Sequence, residues 1–284
     1  MAEGLCAEGH AVTVVSRSEE RFARLAPGIG AVVADLATSA WHERVPAGVD
    51  FVVNCVSGGG GDLAGYRRSY VEGMASIRRW AAAASPRGFI YTGSTGVYPQ
   101  TDGGRVFEDD VPAEETPPPR RAILLEAEAA ALKVSAARRV VLRFSGLYGP
   151  GRHYLLDALM RGELVFPAPA DFFLNLLHRD DAVAAIRAAA EADLPPGGHV
   201  YNVSDNAPST KEAVIRWVAS ELGCPPPVFD EAQPDARRQR RLVGGLPPHR
   251  IVDASRFRRE TGWVPQYPDF QAGYRPLLEA VRRK

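Results

Sequence analysis

Short apolar, β-favouring runs alternate with helix-favouring segments along the first half of the chain. The β-favouring runs lie at residues 10–16, 31–34, 49–56 and 89–91. Helix-favouring segments separate them at residues 21–25 and 66–84. Apolar runs that are bounded by Gly and Pro predict buried strands, and their alternation with helices predicts a parallel, doubly wound α/β sheet.

The start of the sequence departs from the order that such a sheet requires. In a Rossmann-type fold the first strand and its G-x-G-x-x-G loop precede the first helix, and that strand is central in the order 3-2-1-4-5-6. Here residues 1–8 already predict the second half of a helix, which Gly9 closes. Without the missing first strand its neighbours would lack ladder partners, so we hypothesise a misplaced start codon or a lost segment. Upstream genomic DNA tests this hypothesis, and a stop codon there with no glycine-rich frame would contradict it.

Composition narrows the class of function. The 284 residues are 45% hydrophobic and 24% charged with zero formal net charge, which is globular and predicts no nucleic-acid partner. The three cysteines form no C-x-x-C motif and the histidines show no metal-ligand spacing, so we expect no disulfide, no metal site and a cytoplasmic location. No apolar run approaches the roughly 20 residues that span a membrane. The basic run at residues 237–241 is interpreted as a solvated loop, with a substrate-phosphate site as the less favoured alternative.

The segment FIYTGSTGVY at residues 89–98 brings polar side chains to the end of a predicted core strand. Its apolar run ends in Gly93, Ser94, Thr95 and Gly96. Ligands of open α/β sheets bind at the carboxyl ends of the strands. We therefore expect Ser94 and Thr95 to face a ligand site, although a hydroxyl bonded to nearby backbone is the structural alternative.

Two segments resemble the extended short-chain dehydrogenases/reductases, the NAD-dependent epimerase/dehydratase family. STGVY at residues 94–98 resembles the serine-containing segment of that family, and RFSGLYGPGR at residues 143–152 resembles its later strand and loop. The stretch around Trp263 and Pro265 resembles the family's carboxyl-terminal Gly-Trp-x-Pro pattern, which packs a small substrate subdomain. The resemblance covers the whole chain. It implies a Rossmann-type fold with an NAD or NADP cofactor, in which Ser94 polarises the substrate carbonyl.

Cofactor-binding residues are expected at the ends of successive strands. In Rossmann-type folds an arginine just after the strand at residues 10–16 accommodates the 2′-phosphate of NADP, whereas an acid binds the ribose of NAD. Ser16 and Arg17 therefore favour NADP over NAD, unless Arg17 is a solvated surface residue. By resemblance Asp35 contacts the adenine, unless it only initiates a turn. The resemblance implies the remaining cofactor contacts, which are Asn54, Cys55, Val56, Ser145, Gly146 and Leu147.

The Tyr-x-x-x-Lys pair of the family, which moves the proton and holds the ribose, is absent. No tyrosine in the chain has a lysine four residues later. On the predicted helix at residues 120–137 the tyrosine position falls on Arg121 and the lysine position on Leu125. Arginine stays protonated and cannot serve as a general acid or base near neutral pH. Three explanations stay open: other proton donors, dinucleotide binding without turnover, or an alignment shifted by one helical turn. The candidate proton donors are Tyr98, Tyr148 and His178.

Substrate contacts are predicted in and beside the second family segment. Tyr148 and Arg152 lie in that segment, and Arg121 lies on the helix. Arg152 can bind a phosphate or carboxylate with two hydrogen bonds, unless it caps a loop carbonyl. Further along the chain, Asp180 or Asp181 is expected to cap a helix, with His178 just before it as a site histidine.

The sequence as a whole predicts two parts. Residues 1–150 form a dinucleotide-binding part, and residues 151–284 form mainly a substrate-binding subdomain, of which residues 172–203 return to the sheet. The predicted function is that of an NAD(P)-dependent oxidoreductase or epimerase-like enzyme acting on a small carbonyl or sugar-like substrate. The alternative is a catalytically inactive dinucleotide-binding or regulatory protein. A homodimer through the helices at residues 66–84 and 120–137 is the family expectation.

Overall fold

A computed structural model describes the chain at residues 1–46, 48–58, 62–113, 116–233 and 246–283, with the backbone alone described at position 21. Most of the glycine run that follows Ser57 lies outside the described residues, and so does the basic run at residues 237–241. The chain divides into two compact units. The first holds residues 1–93, 115–141 and 193–200, and the second holds residues 94–114, 142–192 and 201–284. The division at residue 150 stays a prediction.

Strands and helices alternate through the described chain, as the sequence predicts. In chain order the strands are Thr13–Ser16 (β1), Gly30–Val33 (β2), Phe51–Asn54 (β3), Gly88–Ser94 (β4), Arg105–Val106 (β5), Arg138–Phe144 (β6), Gly146–Tyr148 (β7), Val165–Pro167 (β8), Phe173–Leu174 (β9), Leu176–His178 (β10), Gly197–Val203 (β11), Ser209–Thr210 (β12), Val228–Asp230 (β13) and Ile251–Val252 (β14). The helices are Ala2–Ala7 (α1), Glu19–Phe22 (α2), Leu63–Arg67 (α3), Gly73–Ala84 (α4), Pro119–Ala131 (α5), Tyr154–Met160 (α6), Arg179–Glu191 (α7), Lys211–Leu222 (α8), Ser255–Thr261 and Phe270–Arg282. None of these described helices is long and apolar enough to cross a bilayer.

The larger sheet has four strands in the order β11-β6-β4-β3, and β1 pairs with β2 in a separate parallel sheet. Strand β3 lies parallel to β4, with Val52 opposite Phe89. In the expected order 3-2-1-4-5-6, strands β1 and β3 would correspond to the second and fourth strands. Among the described residues, β1 and β3 each have a strand partner on one side only. No described strand pairs with both β1 and β3, and the hypothesis about upstream DNA stays a prediction.

A hydrophobic cluster in the first unit joins the two sheets to the helices that cover them. Val32 of β2, Phe89 of β4 and Met74 of α4 are all buried in it. Trp41 and Trp80 pack within the cluster with their ring centroids 5.6 Å apart. The Trp41 indole N–H also donates to the Leu36 carbonyl at 3.2 Å, which satisfies its polar atom. Burial of these large side chains supplies the main stabilisation of the unit.

Two predicted helices in the first unit differ from their expected bounds. The helix predicted at residues 66–84 is present as α3 and α4, which a π-helical turn at Arg68–Glu72 joins. The helix predicted at residues 120–137 was placed too long, because α5 ends at Ala131. Val134 is buried in the core, and Val134 and Ser135 are poor helix formers, so the chain turns there towards β6.

The second unit is built from small sheets and three core-forming helices. Its two-stranded sheets pair β10 with β7, β13 with β8 and β14 with β5 in parallel, and β12 with β9 antiparallel. Leu156 of α6, Ile215 of α8 and Leu278 of the helix Phe270–Arg282 are fully buried in its cluster. Tyr148 and Tyr274 stack there with their ring centroids 5.1 Å apart. This core fixes the loop that follows β7.

Replacing Met74 by alanine tests the core of the first unit. Met74 is fully buried, so Met74→Ala should lower the free energy of unfolding by about 2–5 kcal/mol through lost burial and a residual cavity. Urea denaturation measures the change. Met160 is exposed on α6, and Met160→Ala should change stability by less than about 0.5 kcal/mol. Equal effects of the two substitutions would contradict this account of the core.

Candidate functional site

In the first unit, polar residues follow the carboxyl ends of β1 and β2. The pairing of Ser16 with Val33 brings these two strand ends side by side. The Ser16 hydroxyl accepts the N–H of Ser18 at 3.3 Å, and the Arg17 side chain is exposed. An exposed guanidinium at this edge, beside serine hydroxyls, is accessible to an anionic ligand, and contact of Ser16 and Arg17 with a cofactor stays a prediction.

Asp35 follows β2 and lies among cationic groups. Its carboxylate accepts the N–H of Ala37 at 2.9 Å and forms an ion pair with Arg68 at 3.0 Å. Partial burial acts to raise the pKa of Asp35, but the Ala37 N–H, Arg68 and Arg17 together hold it below the ordinary value. Asp35 is therefore ionised near neutral pH. Its predicted contact with adenine stays a prediction.

The end of β3 presents a buried asparagine followed by an exposed cysteine. The Asn54 amide oxygen accepts the N–H of Val56 at 3.2 Å, and the Thr92 hydroxyl donates to the Asn54 carbonyl at 3.4 Å. These bonds fix the backbone where the chain leaves the strand. Cys55 is exposed, so backbone and thiol at this point can approach a ligand. The glycines at 59–61 lie outside the described residues.

Arg121, which the sequence analysis aligned with the family's tyrosine, lies near the start of α5. Its side chain is buried, with 5% of its surface exposed. No tyrosine is present on α5, and a guanidinium cannot exchange a proton near neutral pH. Lys133 lies beyond the end of the helix. Helix α5 thus carries neither member of the catalytic pair, and substrate contact by Arg121 stays a prediction.

In the second unit, a 3₁₀ turn at Thr95–Val97 positions Ser94. The Ser94 hydroxyl oxygen accepts the N–H of Gly96 at 3.1 Å, and the Thr95 carbonyl accepts the N–H of Tyr98 at 3.3 Å. Ser94 is half-buried, and among the described residues no acceptor takes its hydroxyl proton. The arrangement can donate one hydrogen bond from the end of β4 to a ligand oxygen.

Tyr98 is almost completely buried, with 1% of its surface exposed. Its hydroxyl donates to the Asn202 amide oxygen at 2.7 Å and accepts from the Arg143 guanidinium at 2.8 Å. Burial raises the pKa of Tyr98, although Arg143 opposes the shift. The proton of Tyr98 is thus already engaged within the protein. Its candidacy as a proton donor stays a prediction that this geometry does not support.

The partners of Tyr98 were not singled out from the sequence. Arg143 also donates to the Glu108 carbonyl at 2.7 Å, and the Glu108 carboxylate accepts the N–H of Asn202 at 3.0 Å. The Asn202 amide donates to the Asp253 carbonyl at 3.0 Å. A signal was available: Arg143 and Asn202 each interrupt an apolar strand, and buried polar groups are almost always paired.

His178 caps helix α7, a role that was expected of Asp180 or Asp181. Its Nδ1 accepts the N–H of Asp180 at 3.3 Å, so the proton of the neutral ring is on Nε2. Burial lowers the pKa of His178, and the residue has 1% of its surface exposed. Among the described residues its Nε2 has no hydrogen-bond partner. The ring lies against Tyr267 and Tyr148, with centroid distances of 4.0 and 5.3 Å.

The expectation that Asp181 caps α7 was wrong. Both carboxylate oxygens of Asp181 accept backbone N–H groups, from Gln266 at 2.6 Å and from Tyr267 at 3.0 Å. The first turn of α7 therefore fixes the segment that follows Trp263, because a buried carboxylate needs such donors. This contact occupies the Asp181 carboxylate within the first turn of α7, and His178 caps the helix instead.

Tyr148 is packed into the core of the second unit. Its hydroxyl donates to the Asp269 carbonyl at 3.4 Å, and burial raises its pKa well above the ordinary value. A Cβ atom at Gly273 would lie 1.8 Å from the Tyr148 hydroxyl oxygen, so only glycine permits this approach. Tyr148 is 4% exposed, which leaves little surface for substrate.

The loop after β6 has its backbone bonded inside the second unit. The Ser145 N–H donates to the Val203 carbonyl at 3.1 Å, and the Gly146 N–H donates to the Asn175 carbonyl at 2.8 Å. Leu147 pairs with Leu177 of β10. Ser145 is buried, whereas Gly146 is exposed. Contact of these residues with a cofactor stays a prediction.

Arg152 is exposed in the loop that follows Tyr148. Its Nε donates to the Leu147 carbonyl at 3.1 Å, which is the carbonyl cap that the sequence analysis left open as an alternative. An exposed guanidinium retains further donors for a ligand. Among the described residues, no group of His, Cys, Asp and Glu side chains is arranged to hold a metal ion.

Asp205, just beyond β11, is a further residue that was not predicted from the sequence. Burial raises its pKa to about 7, and the Ala207 N–H and Arg258 oppose that shift while Asp269 and Asp181 add to it. Its Oδ1 accepts the Ala207 N–H at 3.0 Å. Among the described residues its Oδ2 has no partner. With 4% of its surface exposed, Asp205 holds a proton up to near-neutral pH.

The raised pKa of Asp205 predicts a pH-dependent stability. Its unfolded pKa is about 3.9, so between about pH 4 and 7 the native state keeps a proton that the unfolded state loses. The contribution of Asp205 to the free energy of unfolding is therefore fully present below pH 4 and is lost as the pH rises to 7. Asp205→Asn should raise the free energy of unfolding by about 2–4 kcal/mol at pH 8 and leave it unchanged near pH 4. Urea denaturation at both pH values checks this, and exposed Asp171→Asn should show no such difference.

Known proteins resemble the chain in sequence and in fold. Residues 1–204 match the NAD dependent epimerase/dehydratase family. A 3-diazoavenalumate denitrifying reductase from Streptomyces sp is 30% identical over 220 residues, which cover 72% of this chain and 70% of that protein. WbmG from Bordetella bronchiseptica, solved with NAD and UDP, has a TM-score of 0.77 at 20% identity, with 99% of this chain and 90% of that chain covered.

The UDP-glucuronic acid 4-epimerase from Bacillus cereus, solved with UDP-glucuronic acid and NAD, has a TM-score of 0.78 at 16% identity. That alignment covers 98% of this chain and 93% of the epimerase. Likeness at these identities shows the fold, so the predicted Rossmann-type α/β class is confirmed. The match of residues 1–204 to the family then identifies the family of this chain. The chain belongs to the NAD dependent epimerase/dehydratase family.

Proposed function

We propose that the chain is an NAD(P)-dependent oxidoreductase that delivers hydride to a small carbonyl or sugar-like substrate. The observation that carries the proposal is the hydroxyl of Ser94 at the end of β4. Its oxygen is held by the Gly96 N–H, and its proton has no acceptor among the described residues. A donor fixed in this way stabilises negative charge that develops on a substrate oxygen.

A nicotinamide cofactor would supply the hydride when bound, and the chain would supply orientation and charge stabilisation. Arg17 and the hydroxyl of Ser16 would hold the adenosine end, beside the end of β2 that pairs with β1. Ser94 donates a hydrogen bond to the oxygen that gains charge as hydride reaches the carbonyl carbon. The product oxygen then takes a proton from water. This route needs no general acid on α5.

Reduction fits the chain better than epimerisation does. An epimerase must take a proton from a sugar hydroxyl and return it, which is the task of the tyrosine that Arg121 replaces. Arginine cannot perform that proton transfer, whereas a reduction ends when the product leaves. The 30% identity to a reductase supports the same direction. The substrate-binding role of residues 151–284, with Arg152 as a contact, belongs to this proposal. A substrate contact by Tyr148, which precedes this range, is not supported because only 4% of its surface is exposed.

The exposed guanidinium of Arg17 supports NADP over NAD as the preferred cofactor. Arg17→Ala should weaken NADPH binding about tenfold, because a charged hydrogen bond to the 2′-phosphate is lost. NADH binding should stay within about twofold. Calorimetry on the full chain measures both, and Arg24→Ala, which removes an exposed arginine nearby, should change neither affinity. Equal loss for NADPH and NADH would contradict the role of Arg17.

Replacing Ser94 tests the catalytic proposal. Ser94→Ala should lower kcat by about 10²- to 10³-fold, as loss of one oxyanion donor does, while NADPH affinity stays within about twofold. NADPH oxidation with a panel of aldehydes, ketones and nucleotide keto-sugars measures turnover. Ser135 is exposed in the loop before β6, and Ser135→Ala should behave as the unchanged protein. Full activity of Ser94→Ala would exclude this mechanism.

A binding protein without turnover is the second candidate. The absent Tyr-x-x-x-Lys pair and the buried Arg121 favour it. In that case NADPH would bind with an affinity that depends on Arg17, and no substrate in the panel would be reduced. The same calorimetry and substrate panel therefore separate the two candidates. A homodimer is compatible with both candidate functions, and light scattering tests for it.

A further inference from the structure

Arg250 is a buried arginine beside the turn that carries Ser94, and both lie in the second unit. Only 6% of its surface is exposed. One guanidinium nitrogen donates to the Thr95 carbonyl at 2.9 Å and another donates to the Gln100 carbonyl at 3.2 Å. A buried cation is costly unless it is well paired, so a fold that keeps it here depends on these contacts.

The backbone of Arg250 is itself held in place. The Asn175 side-chain amide donates to the Arg250 carbonyl at 2.9 Å, and its oxygen accepts the N–H of Val252 at 2.7 Å. Val252 in turn pairs with Val106 in the sheet of β14 and β5. The guanidinium therefore projects from a fixed segment, which is what a positioning residue requires.

The ring of Tyr98 completes the arrangement. The Arg250 guanidinium lies 6.0 Å from the centroid of the Tyr98 ring, and the Arg143 guanidinium lies 5.3 Å from it. The Tyr98 N–H donates to the same Thr95 carbonyl that Arg250 bonds. The Thr95 carbonyl, which directly follows Ser94 in the chain, thus accepts hydrogen bonds from both Arg250 and the Tyr98 N–H. Tyr98 in this way also holds the far end of the turn.

We propose that Arg250 is a positioning residue for Ser94: it fixes the Thr95 carbonyl and so holds the Ser94 hydroxyl as a hydrogen-bond donor. The inference rests on the proposed function, which makes Ser94 the donor to the substrate oxygen. Misplacing a catalytic group by about 1 Å can cost about 10²-fold in rate. Arg250 touches no reacting atom in this account and acts only through the turn.

Hydrogen exchange tests the structural half of this inference without any substrate. The Gly96 and Tyr98 amides report the turn, because they donate to Ser94 Oγ and the Thr95 carbonyl. Arg250→Lys keeps the charge, but a single nitrogen cannot reproduce the fork to two carbonyls. Exchange of both amides should become at least about tenfold faster, while amides of β6 keep their rates.

Arg258→Lys is the matched control. Arg258 also donates from its guanidinium to two backbone carbonyls, those of Ser204 and Asp205, in the same unit. The variant Arg258→Lys should lower the stability of the protein without changing hydrogen exchange at the Gly96 or Tyr98 amide. Asn175→Ala, which frees the backbone of Arg250, should speed exchange at the turn in the same direction and serves if Arg250→Lys does not fold.

A double-mutant cycle tests the catalytic half. Arg250→Lys should lower kcat about 10- to 100-fold with KM and NADPH affinity within about twofold. In a Ser94→Ala background the same substitution should have no further effect on kcat, because Arg250 acts only through Ser94. Arg258→Lys should leave kcat unchanged in both backgrounds.

The outcomes separate this inference from the proposed function. Unchanged exchange at Gly96 and Tyr98 in Arg250→Lys overturns the positioning role whether or not turnover is found. Faster exchange with unchanged kcat, or additive losses in the cycle, overturns the link to Ser94. If no substrate is turned over by the unaltered protein, the proposed function fails, and the exchange data alone decide whether Arg250 holds the turn.

Discussion

The pairing of buried polar groups around the Tyr98 hydroxyl is the constraint on which the second unit depends. Arg143 and Asn202 interrupt apolar strands, and each would be costly inside a core without a partner. They bond the same hydroxyl at 2.8 and 2.7 Å, and Glu108 joins them through its backbone and side chain. Because every member bonds another, the segment that follows Ser94 is held in one arrangement.

This constraint indicates which polar side chains hold the fold together and which one is available to a ligand. Tyr98, Tyr148 and His178, which the sequence offered as proton donors, are buried and engaged in packing or hydrogen bonds. Ser94 is half-buried, and its hydroxyl proton is available for a hydrogen bond to a ligand. Under the proposed function, a site that can donate a hydrogen bond but lacks a general base on α5 suits hydride delivery to an electrophile. The same argument explains why losing the tyrosine and lysine need not abolish function.

The sequence predicted the fold well because strand and helix periods are local signals. The strand at Phe89 and the turn that carries Ser94 lay where the pattern placed them. The sequence missed the tertiary partners, since nothing local says that Arg250 reaches the Thr95 carbonyl 155 residues away. The expected cap at Asp181 was wrong for the same reason: its carboxylate bonds the Gln266 and Tyr267 N–H groups, and these are distant in sequence.

Transfer of deuterium from NADPH labelled at the transferred position tests the central claim most directly. The account predicts that the reduced product of the unaltered protein carries one deuterium at the former carbonyl carbon, as mass spectrometry reports. It also predicts that Ser94→Ala slows this transfer while the labelled cofactor still binds. Bound NADPH that transfers no deuterium to any substrate, or transfer at full rate without the Ser94 hydroxyl, would contradict the account.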